Sequence, residues 1–186
     1  MKKSFILAVK LFLICAVAAA ALALTNSATA PVIAESKEKA KQEAYKEVYA
    51  EAEEFKAIED ESLLNENILE IAEAKVGGKV DGYIFNVNSP SGYDGPVNFV
   101  IGTKVDGTVV GFKVLAHTET TGFGSRVTNP EYAEGMNGVV LNAPVEAKGN
   151  GGEEHSVPAM TGATLTTNAM VGGFNAVVEK LAELAK

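Results

Sequence analysis

The sequence VNFVIGTKVDGTVVGFKVLA, from Val97 to Ala116, carries the clearest fold signal in this chain. Two apolar runs, Val97 to Val105 and Thr108 to Ala116, flank the dipeptide Asp106-Gly107. Short runs of β-branched and aromatic residues are typical of strands, and Asp-Gly supplies the positive φ angles that a two-residue hairpin turn requires. The stretch therefore predicts an antiparallel β-hairpin.

Two further strands are predicted directly before the hairpin. The run Ile68 to Val76 ends at Gly77-Gly78, and the run Val80 to Val87 ends in the turn-rich loop from Ser89 to Pro96. Clusters of glycine, proline and serine commonly separate short strands. Four strands in succession, joined by short connections, predict an antiparallel meander.

A helix is predicted at the C-terminus, from Asn168 to Leu184. Its apolar residues recur at three- and four-residue steps, which places them on one stripe that can pack on a sheet. Gly172 and Gly173 each cost a helix about 1 kcal/mol relative to alanine, and a close approach to the sheet would explain them. The predicted fold class is α+β, an antiparallel sheet packed with helices. The stripe consists of Met170, Phe174, Val177, Leu181 and Leu184.

The chain between the last strand and this helix carries weaker structural signals. Asn129 to Met136 predicts a short helix in which Asn129 is the cap and Pro130 is the first helical residue. Val139 to Val145 is apolar enough to form another strand. Lys148 to Ser156 contains three glycines in the stretch Gly149-Asn150-Gly151-Gly152, which predicts a flexible connection.

Two polar stretches are candidates for a functional site. The loop from Ala116 to Arg126 follows the fourth strand, and loops on a rigid sheet commonly carry binding residues. The stretch from Met160 to Thr167 holds four threonines and Gly162 directly before the helix. A helix N-terminus of this kind can bind phosphate through its N–H groups and hydroxyls. The same residue types also form ordinary helix caps, and these residues alone leave both interpretations open.

The composition limits the chemistry that the chain can perform. Its 186 residues suffice for one globular domain plus an additional segment, and a net charge of −8 argues against nucleic acid binding, which needs a basic surface. Cys15 is the single cysteine, so the chain can form no internal disulfide and no thiolate metal cage. His117 and His155 have no partner at ligand spacing, and no metal site is predicted.

Residues 1–28 are predicted to form a cytoplasmic tip and a single transmembrane anchor. Phe5 to Leu24 is an apolar run of membrane-spanning length, interrupted only by Lys10. Two lysines precede it, which predicts a cytoplasmic N-terminus and an extracytoplasmic remainder. A cleaved signal peptide is the alternative. The small-residue site Ala28-Thr29-Ala30 is followed by Pro31, which disfavours that cleavage.

Residues 29–66 are predicted to form an amphipathic stalk helix and a linker. From Glu35 to Glu59 the sequence is charged and rich in alanine, with apolar residues at three- and four-residue steps. We expect a solvated helix with this one stripe docked on the following domain, residues 67–186. The stripe consists of Tyr45, Val48, Tyr49, Ala52 and Phe55.

Two of these stretches together resemble the FMN-binding domains that carry FMN covalently on a threonine. Thr161 to Thr164, with Leu165-Thr166-Thr167 and a helix after it, resembles the family's Ser/Thr-Gly-Ala-Thr motif. His117 to Gly124 resembles the family's His-x-Glu-Thr-Pro-Gly-x-Gly loop, with Thr121 in place of the proline. Pro158 stands where the motif usually has an aspartate. The resemblance covers nearly the whole chain and is strongest for the G subunit of the Rnf complex.

The resemblance implies a phosphoester between the FMN phosphate and the hydroxyl of Thr164, installed by a flavin transferase that uses FAD. It also implies a membrane-anchored flavoprotein on the extracytoplasmic face of a prokaryotic plasma membrane. Such a subunit relays electrons within an Rnf-type ion-translocating ferredoxin:NAD oxidoreductase, whose other membrane and cytoplasmic subunits are its partners, and it does not catalyse the overall reaction alone. The remaining implied FMN-binding residues are Thr161, Gly162, Ala163, Leu165 and Thr166 on the attachment side, and His117, Glu119, Thr120 and Thr121 in the loop against the flavin.

Other functions are compatible with the same residues. One is a C-type subunit of a sodium-translocating NADH:quinone oxidoreductase, which belongs to a related family, or a stand-alone extracytoplasmic flavin carrier. Another is an anchored module that binds an anionic or phosphorylated ligand without a covalent bond. A structural protein that works through its stalk helix is less favoured, because it leaves the paired motifs unexplained.

Overall fold

The computed structural model describes residues 2–136 and 138–185, and for residues 2–4 the backbone alone. Residue 1 of the predicted anchor and residues 137 and 186 of the predicted domain therefore lie outside the described residues. The chain divides into two compact units, Met1–Ala40 and Lys41–Lys186. The elements are helix α1 (Lys2–Val48), strands β1 (Glu54–Ala57), β2 (Ile68–Val76), β3 (Lys79–Ser89), β4 (Val97–Lys104) and β5 (Val109–Ala116), helix α2 (Pro130–Glu134), strands β6 (Glu146–Ala147) and β7 (Ser156–Val157), and helix α3 (Thr164–Leu184), with 3-10 turns at Glu61–Leu63 and Gly124–Thr128.

The first unit is helical throughout its described residues. Its apolar side chains between Phe5 and Ile33 are exposed to a degree that is unusual for a folded core. The helix is continuous through the predicted anchor and into the predicted stalk, with Pro31 inside it. In the part of the chain that the structure describes, α1 is the one helix long and apolar enough to cross a membrane.

The predicted stalk helix ends earlier than expected. Helix α1 stops at Val48, and residues 54–57 form the edge strand β1 instead of continuing the helix to Glu59. Strand β1 pairs antiparallel with β2, with Phe55 opposite Ala74. The helical spacing of the apolar residues gave a wrong prediction here. Ala52 and Phe55 do contact the same cluster as the helix residues, but Ala52 lies in a turn and Phe55 in a strand. Sheet pairing satisfies the backbone N–H and C=O groups of β1 as well as a helix would.

The second unit is built on a five-stranded antiparallel sheet in the order β1-β2-β3-β4-β5. The four predicted strands and their meander are confirmed, and β1 adds an edge strand. Large apolar side chains face one another across the central strands, for example Phe85 opposite Ile101 and Ile101 opposite Phe112. The α+β class is confirmed.

The β4–β5 turn is a three-residue turn, and the two-residue prediction is wrong. The backbone N–H of Lys104 donates to the carbonyl of Thr108 (2.8 Å), and the N–H of Gly107 donates to the carbonyl of Lys104 (3.0 Å). Gly107 alone has a positive φ, 91°, and Asp106 instead accepts from the Thr108 N–H through its carboxylate (2.8 Å). This is the common type I turn followed by a glycine bulge.

Each face of the sheet carries its own buried cluster. On one face α3 packs on β3 and β4, and the predicted stripe residues Met170, Phe174, Val177 and Leu181 are buried there. On the other face, side chains from the C-terminal end of α1 and from Tyr49, the residue that follows it, pack on small and branched residues of the strands. The second cluster consists of Ala44, Tyr45, Val48, Tyr49, Ala72, Ala74, Ile84 and Val100.

Glycines let the helix end lie directly on this second face. A Cβ atom on Gly111 would overlap the carbonyl oxygen of Val48, and one on Gly102 would lie 2.9 Å from a Val48 methyl carbon. The Tyr49 hydroxyl donates to Asp81 at 2.6 Å. Burial raises the pKa of the Tyr49 phenol above its ordinary 10.0, and the hydrogen bond to Asp81 raises it further, so the phenol stays a neutral donor.

The segment before α3 departs from two predictions. Helix α2 begins at Pro130 as predicted, but Val139 to Val145 is not a strand and makes one isolated bridge, Thr108 to Val140. The Asn175 side chain binds the backbone N–H (2.8 Å) and carbonyl (3.2 Å) of Val145, so a side chain takes the place of a neighbouring strand. The predicted flexible connection ends in an ordered strand at Ser156, which pairs in parallel with Glu146.

Helix α3 begins at Thr164, four residues before the predicted start. The threonine-rich stretch is therefore partly the first turn of the helix. Gly173 approaches the sheet as expected, because a Cβ there would lie 2.8 Å from the Phe99 ring. Gly172 faces open space, and the close-approach explanation does not apply to it.

Candidate functional site

A cleft of about 420 Å³ lies at the end of the sheet where β3 and β5 finish and β4 begins. Three segments converge there: the β3–β4 loop, the loop after β5, and the N-terminus of α3. Its volume lies within the range of small-molecule sites, which is roughly 300 to 1,000 Å³. The cleft is lined by Tyr93, Glu119, Thr120, Phe123, Gly124, Gly162, Ala163, Thr164, Leu165 and Thr166.

The four threonines of the motif differ sharply in their surroundings. Thr166 and Thr167 are buried, and their hydroxyls donate to the Glu119 carboxylate (2.6 Å) and to the Ala163 carbonyl (3.0 Å). Thr161 and Thr164 are exposed, and neither side chain has a hydrogen-bond partner among residues 2–136 and 138–185. Of these four motif threonines, all within the described residues, Thr164 alone is exposed, uncommitted and part of the cleft wall.

The N-terminus of α3 is not capped by a side chain. The cap residue is Ala163, which offers no side-chain acceptor to the first-turn N–H groups. The interpretation of the threonines as an ordinary helix cap is therefore wrong, because none of them occupies the cap position. Gly162 precedes it with a φ of 80°, a left-handed conformation that glycine adopts without strain. An uncapped helix N-terminus beside a cleft favours an anionic group.

Glu119 is a buried acidic residue at the base of the cleft, with 6% of its surface exposed. One carboxylate oxygen accepts from the backbone N–H of Tyr93 (2.7 Å), and the other accepts from the Thr166 hydroxyl (2.6 Å). The Glu119 backbone N–H donates to Nδ1 of His117 at 3.1 Å. One side chain thus joins all three segments of the cleft.

Arg126, the single arginine of the chain, connects the two sequence motifs from the other side. Its Nε donates to the carbonyl of Phe123 (3.0 Å), and a terminal guanidinium nitrogen donates to the carbonyl of Thr161. These bonds fix the Thr161–Gly162 turn relative to the loop after β5. They also place a permanent positive charge beside the turn that leads into α3.

Three large side chains of the cleft are unusually exposed. Tyr93, Phe123 and Leu165 have 67%, 55% and 54% of their surface accessible. They come from three different segments and all line the same cleft. Apolar walls with a few convergent polar groups are typical of sites for planar organic ligands.

The structure brings most of the predicted site residues together. Glu119, Thr120, Gly162, Ala163, Thr164, Leu165 and Thr166 line the cleft, whereas Thr161, Thr121 and His117 do not. His117 instead accepts the hydrogen bond that orders its own turn. Sequence reasoning missed Tyr93, Phe123, Gly124 and Arg126 as parts of this site.

The position that departs from the family motif is packed inside the domain. Pro158 is buried, and Cβ atoms on Gly135 and Gly151 would lie 2.5 Å and 2.6 Å from its ring carbons. A proline ring therefore fills the space between two backbone segments at this position. It lies outside the lining of the cleft.

Comparison with known proteins assigns both parts of the chain. Residues 92–179 match the FMN-binding domain family, and residues 1–48 match the RnfG N-terminal region. The first of these ranges contains every residue that lines the cleft. The cleft is therefore part of the segment that defines the match to FMN-binding domains.

Two relatives match over nearly their whole length. The chain is 31% identical to the G subunit of the Na(+)-translocating ferredoxin:NAD(+) oxidoreductase complex of Acetobacterium woodii, with 100% of this chain and 95% of the relative covered. It is 30% identical to the G subunit of the ion-translocating oxidoreductase complex of Methanosarcina acetivorans, with 92% and 90% covered. The crystal structure of Shewanella oneidensis NqrC shares the fold, with a TM-score of 0.50, 19% identity, and 73% and 74% of the two chains covered.

Proposed function

This chain belongs to the family of G subunits of ion-translocating oxidoreductase complexes, and on that basis we propose that it is a membrane-anchored flavoprotein subunit that relays electrons through FMN. The complex is an Rnf-type ion-translocating ferredoxin:NAD oxidoreductase, and its other subunits are the partners of this chain. The full-length similarity to G subunits favours this assignment over a C-type subunit of a quinone reductase, since the likeness to NqrC extends to the fold alone.

The environment of Thr164 is the observation that carries the proposal. Its hydroxyl is exposed and uncommitted, lies at the first position of α3, and faces a cleft. The two buried threonines of the motif hold hydrogen bonds inside the domain, and Thr161 lies outside the cleft lining. Among the four hydroxyls, Thr164 therefore has the surroundings that an attachment site needs.

We infer that the flavin is attached covalently, as a phosphoester of Thr164. The Thr164 oxygen forms a bond to the flavin-side phosphorus of FAD, the phosphoanhydride bond breaks, AMP leaves, and the hydroxyl proton is released. A flavin transferase performs this step and is a maturation partner. The uncapped N–H groups of α3 then stabilise the remaining negative charge of the phosphodiester.

The cleft fits the ring system of the same cofactor. Its apolar walls, Tyr93, Phe123 and Leu165, offer contact area to a planar tricyclic ring, and its volume of about 420 Å³ matches a ligand of that size. When bound, FMN supplies reversible electron transfer. The protein contributes orientation and contact area to the ring.

The proposed membrane arrangement is based on the N-terminal unit. The chain is anchored by α1, and we propose the predicted division into anchor (1–28), stalk and linker (29–66) and FMN-binding domain (67–186), with the domain on the extracytoplasmic face. A covalent bond suits that face, because a flavin that dissociated there would be lost from the cell. Labelling of a cysteine introduced at Asn150 by an impermeant reagent on intact cells tests the orientation, and labelling only after lysis would reverse it.

The central test is flavin retention after denaturation. Full-length protein produced with a flavin transferase should give a fluorescent band on a denaturing gel and an intact mass increased by one FMN less water. Thr164→Val should lose both signals completely, while Thr161→Val should retain them, because Thr161 lies outside the cleft lining. Fluorescence that is present in the native protein but disappears on denaturation would replace this proposal with a noncovalent anion-binding module at the same helix N-terminus.

A further inference from the structure

The Glu119 carboxylate occupies space that is available because two neighbouring backbone positions are glycines. A Cβ atom on Gly92 would overlap one oxygen of the Glu119 carboxylate, and a Cβ on Gly124 would overlap the other. Gly92 belongs to the β3–β4 loop and Gly124 to the loop after β5. Two segments distant in sequence therefore approach the same carboxylate as closely as backbone atoms allow.

Both carboxylate oxygens are occupied by protein donors. The Tyr93 N–H donates to one oxygen at 2.7 Å, and the Thr166 hydroxyl donates to the other at 2.6 Å. Hydrogen bonds to charged acceptors are among the stronger interactions in proteins, and buried ones are costly to lose. Glu119 thus links the β3–β4 loop to the first turn of α3.

The position of Tyr93 depends on this link. The Tyr93 ring is 67% exposed, and its backbone N–H to Glu119 is the hydrogen bond that fixes the residue among the described contacts. The loop has one further tie nearby, from the Thr118 hydroxyl to the Asp94 carbonyl at 2.6 Å, and this tie is exposed to solvent. Without the partly buried bond to Glu119, we expect Tyr93 to move away from the cleft along with its loop.

We propose that Glu119 is a positioning residue that holds Tyr93 as one wall of the flavin cleft. Its carboxylate acts on the loop and on α3, and Tyr93 is the group that contacts the ring. The contact with the ring rests on the proposed function, whereas the link itself is a property of the flavin-free protein. These two parts are measured separately.

Substitutions at position 119 separate the link from the charge. Glu119→Ala removes both acceptors. Glu119→Gln keeps an acceptor for the Tyr93 N–H and presents an NH2 donor to the Thr166 oxygen, while it removes the same negative charge. The glutamine variant is therefore the matched control, and it should rescue what the alanine variant loses.

The first measurement is hydrogen exchange of the Tyr93 amide in full-length, flavin-free protein in detergent. Exchange should be about tenfold faster or more in Glu119→Ala, the change expected for losing a hydrogen bond to a carboxylate, and should stay within about threefold of wild type in Glu119→Gln. Unchanged exchange in the alanine variant would overturn the link. This result does not depend on whether FMN is ever attached.

The second measurement is iodide quenching of FMN fluorescence in the flavinylated protein. Glu119→Ala should make the flavin ring more accessible to iodide, and Glu119→Gln should be quenched as wild type is. Both variants lose the negative charge of the carboxylate, so a difference between them reports the hydrogen bonds and not the charge. Faster Tyr93 exchange without any change in quenching would refute Tyr93 as a wall of the cleft. Absence of an adduct in wild-type protein would instead refute the proposed function and leave the exchange result standing.

A second pair of variants covers the case in which Glu119→Ala does not fold. Thr166→Val removes the donor to one carboxylate oxygen, and Thr166→Ser keeps it. Tyr93 exchange should rise in the valine variant and remain at the wild-type rate in the serine variant. Equal exchange in the two variants would contradict the proposed link.

Discussion

Two helix ends meet the same domain in opposite ways. The C-terminal end of α1 lies in a groove lined by Gly102 and Gly111, where Val48 of the helix would collide with any added side chain. The N-terminal end of α3 also stands beside glycines, but it borders a cleft of about 420 Å³ with exposed aromatic rings. One helix end is sealed against the sheet, and the other is left open.

The difference teaches what glycine does at each place. In the sealed groove glycine lets backbone pack on backbone, and the gain is dense packing of the domain. At the open end Gly92 and Gly124 admit a buried carboxylate, while the space above it stays unfilled by the described side chains. We expect mutations in the groove to change stability and mutations in the cleft to change the ligand's surroundings.

The largest stability effect is expected at Gly111. Gly111→Ala should lower the free energy of unfolding of the full-length protein by about 2 to 3 kcal/mol, because the new Cβ meets backbone atoms of Val48 that cannot move aside. Urea unfolding in detergent measures this loss. Val105→Ala, at an exposed position in the β4–β5 turn, is the control and should change stability by less than about 0.5 kcal/mol. Equal losses of stability at the two positions would contradict tight packing of the helix end on Gly111.

A smaller and opposite pair of effects is expected within α3. Gly173→Ala should destabilise the domain by about 1 kcal/mol, since the clash with the packed Phe99 ring outweighs the gain in helix propensity. Gly172→Ala should stabilise it by about 0.5 to 1 kcal/mol, because the added methyl group faces open space. The same urea unfolding measures both variants, and a shift of both in one direction would contradict the assigned contacts.

The smallest stability effect is expected at the open cleft. Tyr93→Ala should change the free energy of unfolding by less than about 0.5 kcal/mol, because the side chain is largely exposed. The variant should still form the Thr164 adduct, while iodide quenching of its flavin should increase. Tyr93→Phe is the control, since it keeps the ring and removes only the hydroxyl. A large stability loss in Tyr93→Ala would mean that this side of the cleft is as tightly packed as the groove.

The central sheet could be read from the sequence because its signals are local. The runs Ile68 to Val76 and Val97 to Val105 are bounded by turn residues, and neighbouring antiparallel strands need only short connections. The apolar stripe of α3 was predicted for the same reason, since the helical spacing of its apolar residues identifies the buried face directly.

Two segments were misassigned because partners outside their own stretch of sequence decided their structure. Strand β1 became a strand because β2 offered it an edge, although its own residues fit a helical period. In the segment Val139 to Val145, the backbone of residues 107–109 pairs with its first half through one bridge, and the Asn175 side chain binds the backbone groups of Val145. Competition of this kind is decided by tertiary neighbours, so local propensity could not predict it.

The residues of the candidate site likewise fall into those that the sequence predicted and those that it did not. Thr164 and Glu119 were found because they belong to short motifs that resemble those of a known family. Tyr93 was missed because nothing in its own segment indicates a site, and Arg126 was not singled out within its candidate loop. Each joins the site through a contact with a residue distant in sequence, Tyr93 with Glu119 and Arg126 with Thr161. Burial and hydrogen bonding then separated the other motif threonines from Thr164, which the family resemblance had already singled out.

The sequence by itself determined the anchor, the four central strands, the C-terminal helix and the family, because apolar period, turn residues and motif spacing are properties of neighbouring residues. The tertiary structure alone decided which threonine is available, where Glu119 places its two oxygens, and which helix end is sealed. Those outcomes depend on volume and hydrogen-bond partners that exist only once distant segments have met.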